Sequence, residues 1–306
     1  MVKAAAVQMT AKLGDVETNL AAAGRLASEA FRDGAELVIL PEFFTSAVAY
    51  HPSMKNAARP IDGEPARLLK DLAREFDGIV GGSFVARRGK DNYNTFVLAL
   101  PDGSTYTHDK DMPTMWENCY YRGGSDDGVL ETPFGKFGVA LCWEFVRSGT
   151  ARRLAGRVDA VIGGSCWWDL PDRRLPGFSK KIAARNLEIM IDTPGRFARI
   201  LGVPVVHAAH AGDFTCKLPL VPGFRYESFF LGETQIVDAR GNILAQMTKS
   251  DGEGFITADI DLSEKCDSPE NIPNRFWIPD IPAQIRFVWH YQNLHGKILY
   301  RLTGRK

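Results

Sequence analysis

The composition of this chain is that of an ordinary globular protein without a charge bias. It has 306 residues, 45% hydrophobic and 24% charged, and its 37 basic and 37 acidic side chains cancel. Without a basic excess, we expect neither nucleic acid nor a membrane surface as a partner. The length suits one large α/β domain or two small ones, and near-zero net charge is compatible with self-association.

The N-terminal residues and the cysteines indicate a cytoplasmic protein. The apolar part of "MVKAAAVQMTAKLGD" is shorter than that of a signal peptide, and no apolar run is long enough to span a membrane. The five cysteines are odd in number, scattered, and without a C-x-x-C pair. We therefore expect a reducing compartment and a fold that does not depend on disulfide bonds.

The first part of the chain alternates short apolar strands with amphipathic helices. Asp15 is placed to cap the first helix, which Gly34 ends. The strands predicted here are "KAAAVQM", "AELVILPE", "IVGGSFVARR" and "NTFVLALPDGSTYTHDK". The helices predicted here are "DVETNLAAAGRLASEAFRDG" and "EPARLLKDLAREFDG".

The second part continues the alternation. Its predicted strands are "FGKFGVALCWE", "VDAVIGGSCWW", "VPVVHAAHAG", "GETQIVDARGNILAQM" and "GFITADIDL". "GTARRLAG" is predicted as a helix, and a longer helix follows with a break near Pro194. These connections predict sheets covered by helices in one domain, residues 1–264. Residues 265–306 are rich in proline and aromatic side chains, and we expect a tail that packs on the domain or at a subunit interface.

Cys142 ends an apolar run in "ALCWEF". A free cysteine in such a position is usually a buried packing residue. It becomes a nucleophile only where a base takes its proton or a nearby cation lowers its pKa. No histidine lies beside a matching motif, which leaves Glu42 as the candidate base and Lys110 as the candidate cation.

Glu42 and Lys110 each have an ordinary interpretation beside the catalytic one. Glu42 follows "VIL" and is expected just past the end of a strand, where ligands gather in α/β folds. Apolar neighbours there would raise its pKa toward that of a useful base, although a carboxylate in an ion pair is the alternative. Lys110 is either a surface lysine or a cation held near Glu117, seven residues later, that stabilises an oxyanion.

Three motifs in order resemble the nitrilase, or carbon–nitrogen hydrolase, superfamily. They are "PEFF", "KDMPTMWE" and "TPFGKFGVALCWE", and the resemblance extends from "AAAVQM" to "GFITADIDL". It implies an α/β protein, a four-layer α-β-β-α sandwich that forms a homodimer or a higher homo-oligomer. Matched residue by residue, it implies Glu42, Lys110 and Cys142 as a catalytic triad and Glu117 as a second glutamate.

The resemblance implies a hydrolase of non-peptide carbon–nitrogen bonds, with a small-molecule nitrile or amide as substrate. We expect a nitrile, converted to a carboxylic acid and ammonia, since the Lys-x-x-Pro-Thr-x-x-Glu spacing, Tyr121 and Cys-Trp-Glu resemble nitrilases. Asn118, where nitrilases commonly have arginine, and "FVRSGT", without their usual Pro-Leu, depart from that pattern. An amidase or N-carbamoyl amidohydrolase at the same site is the alternative. Two further alternatives are acyl transfer, in which an amine or hydroxylamine replaces water, and a non-catalytic interaction protein.

In the expected mechanism, Glu42 takes the proton of Cys142 and the thiolate attacks the nitrile or carbonyl carbon. Lys110 and the backbone N–H of Trp143 stabilise the negative charge that develops. Water activated by Glu42 then hydrolyses the acyl-thioester. The chain contains no P-loop, no H-E-x-x-H and no dinucleotide-binding motif, so we expect neither a cofactor nor a metal.

Five residues are candidates for binding the substrate: Trp143, Glu144, Cys166, Trp167 and Tyr121. Cys166 and Trp167 in "GGSCWWD" are expected at the same sheet end as Cys142, as pocket lining or as a buried aromatic cluster. Glu144 either orients pocket groups or bonds a backbone amide.

Two further segments contain candidate residues. Tyr226, Glu227 and Phe229 in "GFRYESFFLGET" are expected on a loop that closes the pocket, or in the core. His207 and His210 would point to opposite faces of a strand, which argues against a shared metal.

Overall fold

The computed structural model describes residues 1–170, 179–219 and 221–303. Within these ranges the strands are β1 (Val2–Met9), β2 (Leu37–Ile39), β3 (Arg59–Pro60), β4 (Ile79–Arg88), β5 (Asp91–Ala99), β6 (Thr105–Asp109), β7 (Val129–Thr132), β8 (Gly135–Leu141), β9 (Ala160–Ser165), β10 (Val205–Leu218), β11 (Val221–Leu231), β12 (Thr234–Val237), β13 (Ile243–Met247) and β14 (Gly254–Ile260). The helices are α1 (Val16–Arg32), α2 (Glu64–Glu75), α3 (Ser148–Leu154), α4 (Lys180–Leu201) and α5 (Ala283–Thr303).

The strands form one hydrogen-bonded sheet in the order β6-β5-β4-β2-β1-β10-β9-β8-β7. The central pairings from β4 to β8 are parallel, and antiparallel hairpins lie at both edges. The two halves of the sheet meet where Gln8 and Met9 of β1 pair with Ala209 and His210 of β10. Most of the remaining edge of β1 pairs with β14 instead.

Alternation of side chains along the strands divides the interior into layers. Ala4 and Ala6 of β1 point into an apolar core shared with Val139 and Ile162, which consists almost wholly of strand residues from both halves of the sheet. The opposite face of the first half is covered by α1 and α2, and that of the second half by α3 and α4. This stacking confirms the predicted α/β class and the four-layer α-β-β-α sandwich.

The first helix forms as its sequence predicts. The Asp15 side chain accepts a hydrogen bond from the backbone N–H of Thr18 and so caps α1. Ala23, Ala27 and Ala30 then lie on one buried face, against the sheet. Periodicity and capping are local properties, which is why this element could be predicted from sequence.

The predicted break at Pro194 is wrong, since α4 continues through it to Leu201 and ends at Gly202, which has φ of 69°. Proline removes one intrahelical donor and typically costs about 3 kcal/mol in a helix interior. The residues that follow it, Phe197 and Ala198, are fully buried against the second half of the sheet. Burial of this face opposes the local preference of proline, so the helix persists.

Tyr226 and Phe229 lie in a strand, not in the loop that was one expectation for them. β11 pairs antiparallel with the C-terminal part of β10, in a register that places Cys216 opposite Tyr226. Apolar residues in this hairpin pack beside the end of the sheet that carries Cys142 and Glu42. The hairpin thus supplies a rigid side of the site.

The C-terminal segment contains a helix that the sequence analysis did not predict. In α5, Asn293 Oδ1 accepts hydrogen bonds from Met115 N (2.8 Å) and from Asn118 Nδ2 (2.9 Å). These contacts attach α5 to the 3₁₀ turn Met115–Cys119, which contains Glu117. The division at residue 264 and a role of the tail in a subunit interface stay predictions. Among the described residues, no helix is long and apolar enough to cross a membrane.

Replacing Gly296 by alanine should separate α5 from this turn. An added Cβ would lie 2.6 Å from Asn118 Cβ and 2.9 Å from Asn118 C. We expect a loss of about 1–3 kcal/mol of unfolding free energy from overpacking, measured by chemical denaturation. Gly149→Ala in α3 is the matched control, since a Cβ there meets nothing within 4 Å. Equal stabilities of the two variants would contradict the close contact.

Candidate active site

The predicted catalytic residues follow different strands whose ends lie together. Glu42 lies three residues after β2, Cys142 directly follows β8, and Lys110 directly follows β6. β8 and β9 pair in parallel with Leu141 beside Gly164, so Cys142 and Cys166 come from the same sheet end. Convergence of strand ends is where α/β sheets build their sites.

Gly164 permits this close arrangement. A Cβ at Gly164 would lie 2.5 Å from the carbonyl oxygen of Ala208 and 3.1 Å from Pro41 Cα. Only a residue without a side chain lets Pro41, and hence Glu42, approach the neighbouring strand so closely. Close packing at the site therefore requires a glycine at position 164 of "GGSC".

Glu42, Lys110, Glu117 and Cys142 form one buried cluster. Lys110 Nζ donates to Glu42 Oε1 at 2.8 Å and to Glu117 Oε2 at 2.7 Å. Cys142 Sγ and one carboxylate oxygen of each glutamate lie within 4.8 Å of one another. None of the four side chains is more than 1% exposed.

Neighbouring groups fix both carboxylates. Glu42 Oε1 also accepts from Asn94 Nδ2 (2.9 Å), and its Oε2 accepts from the backbone N–H of Cys166 (3.0 Å). Asn94 is a site residue that the sequence analysis missed, because it lies inside β5 without a motif.

Glu117 is held by its own turn and by Tyr121. Its Oε2 accepts from the backbone N–H of Thr114 at 2.9 Å and from the Tyr121 hydroxyl. Its other oxygen, Oε1, is buried and has no hydrogen-bond partner within the described part of the chain. Glu117 therefore has an unused acceptor at the site.

The backbone at Cys142 is strained. Cys142 has φ of 51° and begins the short 3₁₀ turn Cys142–Glu144. Phe43, next to Glu42, also has a positive φ, of 55°. Non-glycine residues in this region cost free energy and concentrate at functional sites.

Burial controls the charges of the cluster. It raises the pKa of Glu42 to about 7, against the attraction of Lys110, while the charge of Glu117 raises it further. Burial and the nearby Glu42 likewise raise the pKa of Cys142 well above that of an ordinary thiol, although Lys110 opposes this. Burial lowers the pKa of Lys110, but the two glutamates outweigh it and raise that pKa. At rest the site holds a thiol, an ammonium and a carboxylate close to its titration midpoint.

The geometry also bears on metal binding. Glu42, Glu117 and Cys142 offer three ligand atoms of a kind that metals bind. The ammonium of Lys110 already contacts both carboxylates and compensates one unit of their negative charge. The expectation of neither a metal nor a cofactor stays a prediction.

Residues 3–167 match the family described as carbon-nitrogen hydrolase. The match covers more than half of the chain and contains all four residues of the buried cluster. The chain belongs to the carbon–nitrogen hydrolase family. This confirms the resemblance to the nitrilase superfamily and, at the level of the family, the prediction of a carbon–nitrogen hydrolase.

Two curated relatives and one solved structure illustrate the similarity. An omega-amidase of Xenopus laevis is 32% identical over 276 residues, covering 84% of this chain and 88% of the relative. An N-carbamoylputrescine amidase of Arabidopsis thaliana is 33% identical over 156 residues, covering 46% of this chain and 52% of the relative. The match thus spans about half the length of the latter enzyme.

The structural comparison supports the fold alone. The crystal structure of a carbon–nitrogen hydrolase from Helicobacter pylori G27 superposes with a TM-score of 0.70 at 22% identity. The superposition covers 85% of this chain and 89% of that chain. This chain therefore shares its fold with that hydrolase.

A cavity beside Cys142 is lined by aromatic and aliphatic side chains. Trp143 and Trp167 line it together with Cys142. The other described lining residues are Met115, Trp116, Trp168, Leu170, Asn186, Leu218, Pro219, Tyr226, Ile285, Phe287, Val288, Tyr291 and Gln292. Two of the five candidate substrate-binding residues therefore lie at this cavity.

The other three candidates lie elsewhere around the cluster. Cys166 contributes its backbone N–H to Glu42, and the Tyr121 hydroxyl donates to Glu117. Glu144 accepts from the backbone N–H of Leu141 (2.9 Å) and of Asp111 (3.1 Å). One carboxylate thus joins the residue before Cys142 to the residue after Lys110.

Glu144 belongs to a second buried group of charges. His108 Nε2 lies 3.1 Å from Glu144 Oε2, and Arg153 Nη2 lies 3.5 Å from Glu144 Oε1. Burial opposes the charge of His108, but Glu144 and then Asp126 raise its pKa to about 10. Burial also opposes the charge of Glu144, yet His108 keeps the pKa of that carboxyl well below its usual range.

His207 and His210 point to opposite faces of β10, as predicted. His207 Nε2 pairs with Ser165 Oγ at 2.8 Å and packs against Phe145. His210 Nε2 donates to the backbone carbonyl of Glu42 at 2.8 Å. Burial lowers the pKa of both imidazoles to about 4, so they are neutral at pH 7. His210 was not expected to support Glu42.

His108→Gln should destabilise the protein in a pH-dependent way. The folded pKa of His108 lies above its unfolded value of 6.5, so its stabilisation is complete below pH 6.5 and is lost as pH rises toward 10. We expect a loss of about 3 kcal/mol at pH 6, since Glu144 is left without its histidine partner, and a smaller loss at pH 9.5. Denaturant titrations at both pH values measure this.

His290→Gln is the matched control, because His290 is exposed on α5. It should leave the free energy of unfolding unchanged at both pH values. A His108→Gln deficit that stays constant from pH 6 to pH 9.5 would argue against a charged His108.

Proposed function

We propose that this chain hydrolyses a small amide to a carboxylic acid and ammonia through a thioester on Cys142. The observation that carries the proposal is the buried cluster in which Cys142 Sγ lies within 4.8 Å of oxygens of both glutamates. An amidase is favoured over other carbon–nitrogen hydrolases because the two curated relatives described above bear amidase names.

The first step forms a carbon–sulfur bond. Glu42 takes the proton of the Cys142 thiol, and the sulfur lone pair attacks the amide carbon. The carbonyl π pair moves onto oxygen, where the ammonium of Lys110 and the backbone N–H of Trp143 stabilise the negative charge. A base is needed, because the pKa of this thiol lies well above its ordinary value.

The next steps release ammonia and then the acid. The proton on Glu42 passes to the substrate nitrogen, and the carbon–nitrogen bond breaks with its electron pair on ammonia. Glu42 then takes a proton from water, whose oxygen attacks the thioester, and the carbon–sulfur bond breaks. The carboxylic proton of Glu42 returns to the sulfur, so amide and water give acid and ammonia.

Glu117 is suited to position the leaving group. Its Oε1 is buried and has no hydrogen-bond partner among the described residues. An unpaired buried carboxylate oxygen is costly, and the N–H of a bound amide would satisfy it. We therefore assign Glu117 to orientation of the substrate nitrogen, while Lys110 keeps the carboxylate in place.

The rate should increase with pH through the titration of Glu42. As a base, Glu42 acts only when deprotonated, and burial raises its pKa to about 7. We expect kcat/KM to fall about tenfold per pH unit well below pH 7 and to level off above it. A kcat/KM profile from pH 5 to pH 9 measures this, and Glu42→Gln should be inactive throughout. A flat profile would rule out a base with this pKa.

Covalent catalysis is tested by trapping the intermediate. With an amide substrate, intact-protein mass should show an acyl adduct on the wild type and on Cys266→Ala, but not on Cys142→Ala. Cys266 is the control, since it is partly exposed and its backbone N–H donates to the carbonyl oxygen of Gly202, which is not part of the cluster. Turnover by Cys142→Ala within tenfold of the wild type would overturn the proposal.

A nitrile is the second candidate, which the Lys-x-x-Pro-Thr-x-x-Glu and Cys-Trp-Glu segments favour. The same thiolate would add to the nitrile carbon, and water would convert the resulting thioimidate to the thioester. Matched pairs of nitrile and amide separate the two by ammonia release. Carbon dioxide released from an N-carbamoyl compound identifies the third alternative.

We also propose a cytoplasmic protein that forms a homodimer or a higher homo-oligomer and binds no nucleic acid. The five cysteines are free thiols, which supports a reducing compartment. The net charge of zero supports self-association over binding to a polyanion. Three apolar side chains of α5, Phe287, Leu294 and Leu302, are at least 65% exposed and offer surface for an interface.

A further inference from the structure

We propose that the acyl part of the substrate is an uncharged aromatic group, and that α5 contributes to its selection. The inference rests on the proposed function, since it assigns the cavity beside Cys142 to the acyl part of the amide. Four tryptophans and two tyrosines line that cavity. These rings present a continuous apolar surface beside Cys142.

The aromatic lining is organised in two groups. In the first, Trp116 stacks on Trp168 with ring centroids 4.2 Å apart, and Tyr226 meets Trp116 edge-on at 5.5 Å. These contacts hold the rings in fixed orientations, so an aromatic ligand finds preformed stacking and edge surfaces.

The second group is centred on the residue after the nucleophile. Trp143 lies 5.8 Å from Trp167, and both line the cavity. Behind them, Trp289 of α5 stacks on Trp143 at 5.1 Å with nearly parallel rings, and Trp277 meets it edge-on. The C-terminal segment therefore supports the ring that directly follows Cys142.

The described residues that line the cavity carry no formal charge. Of the two polar amides, Asn186 accepts from Trp167 Nε1 (3.1 Å) and donates to the carbonyl oxygen of Trp168 (3.2 Å) and to Asp169 Oδ1 (3.1 Å). The hydrogen-bonding groups of Asn186 are therefore used to position Trp167 and Trp168. A carboxylate or an ammonium on the substrate would lose its water here without an ionic partner from these residues.

The helix α5 lies outside the region that matches the family, residues 3–167. Its residues Ile285, Val288 and Gln292 nevertheless line the cavity. The catalytic cluster lies within the matched region and the cavity wall partly beyond it. Selection of the acyl group thus depends in part on a segment outside the matched region.

The experiment compares four amides of the form H₂NCO–CH₂CH₂–X. X is phenyl, methyl, carboxylate or ammonium, so only the end of the acyl chain changes. We expect kcat/KM for the phenyl compound to be at least about 100-fold higher than for the carboxylate and ammonium compounds. It should be about 10-fold higher than for the methyl compound. A charged amide turned over as well as the phenyl compound would overturn the inference.

A substitution in α5 tests the part played by the helix. Val288→Lys places a cation at the cavity and should raise the ratio of carboxylate to phenyl turnover at least about tenfold. Gln284→Lys is the matched control on the same helix, since Gln284 is exposed and does not line the cavity. Equal ratios in the two variants, with unchanged circular dichroism, would exclude selection by α5.

Failure of this inference is distinguishable from failure of the proposed function. If the four amides are all hydrolysed at similar rates and Cys142→Ala is inactive, the function stands and the aromatic preference is refuted. If none of the four releases ammonia but the matching nitriles do, the chemistry of the proposed function is wrong. The preference for a phenyl group over charged groups is then tested with the matching nitriles, by the same ratios of kcat/KM.

Discussion

The ammonium of Lys110, held between the carboxylates of Glu42 and Glu117 without contact with solvent, is the interaction on which the site depends. Two buried carboxylates repel each other, and neither would keep its charge there without a cation. Because the cation contacts both, removal of Lys110 leaves uncompensated buried negative charge, which typically costs about 3–5 kcal/mol. Lys110 therefore holds the two carboxylates together, while burial raises the pKa of Glu42 to about 7.

The strain at Cys142 and the second group of charges serve the same arrangement. Glu144 bonds the backbone N–H groups of Leu141 and Asp111, next to Cys142 and Lys110. His108 and Arg153 in turn keep Glu144 charged. This network holds the positive φ of Cys142 and the position of Lys110 at the same time, which a turn alone would not maintain.

The proposed division between chemistry and selection follows the architecture. The ends of β2, β6 and β8 bring together Glu42, Lys110 and Cys142, and these ends are fixed by the core between the two halves of the sheet. The cavity wall comes in part from the β10–β11 hairpin and from α5. A helix outside the sheet can change in sequence without disturbing the central strands, so in the proposed function a common reaction can serve different acyl groups.

Local pattern in the sequence determined much of the fold, the capped helix α1 and the order of strands among it. Three motifs were enough to name the four residues of the buried cluster, because together they resemble those of the nitrilase superfamily. The sequence did not reveal Asn94 or His210 as supports of Glu42, since each lies within a strand and acts through a contact with a distant residue.

Only the tertiary structure decided the continuity of α4 through Pro194, the helix α5 and the separate positions of Glu144 and Trp143. Burial of a helix face outweighed the local preference of proline, and α5 shows its role only in contact with the turn that carries Glu117. Trp143 and Glu144 are adjacent in sequence, yet Trp143 lines the cavity while the carboxylate of Glu144 pairs with the buried imidazole of His108. Such outcomes depend on which distant residues meet, and sequence spacing does not specify those meetings.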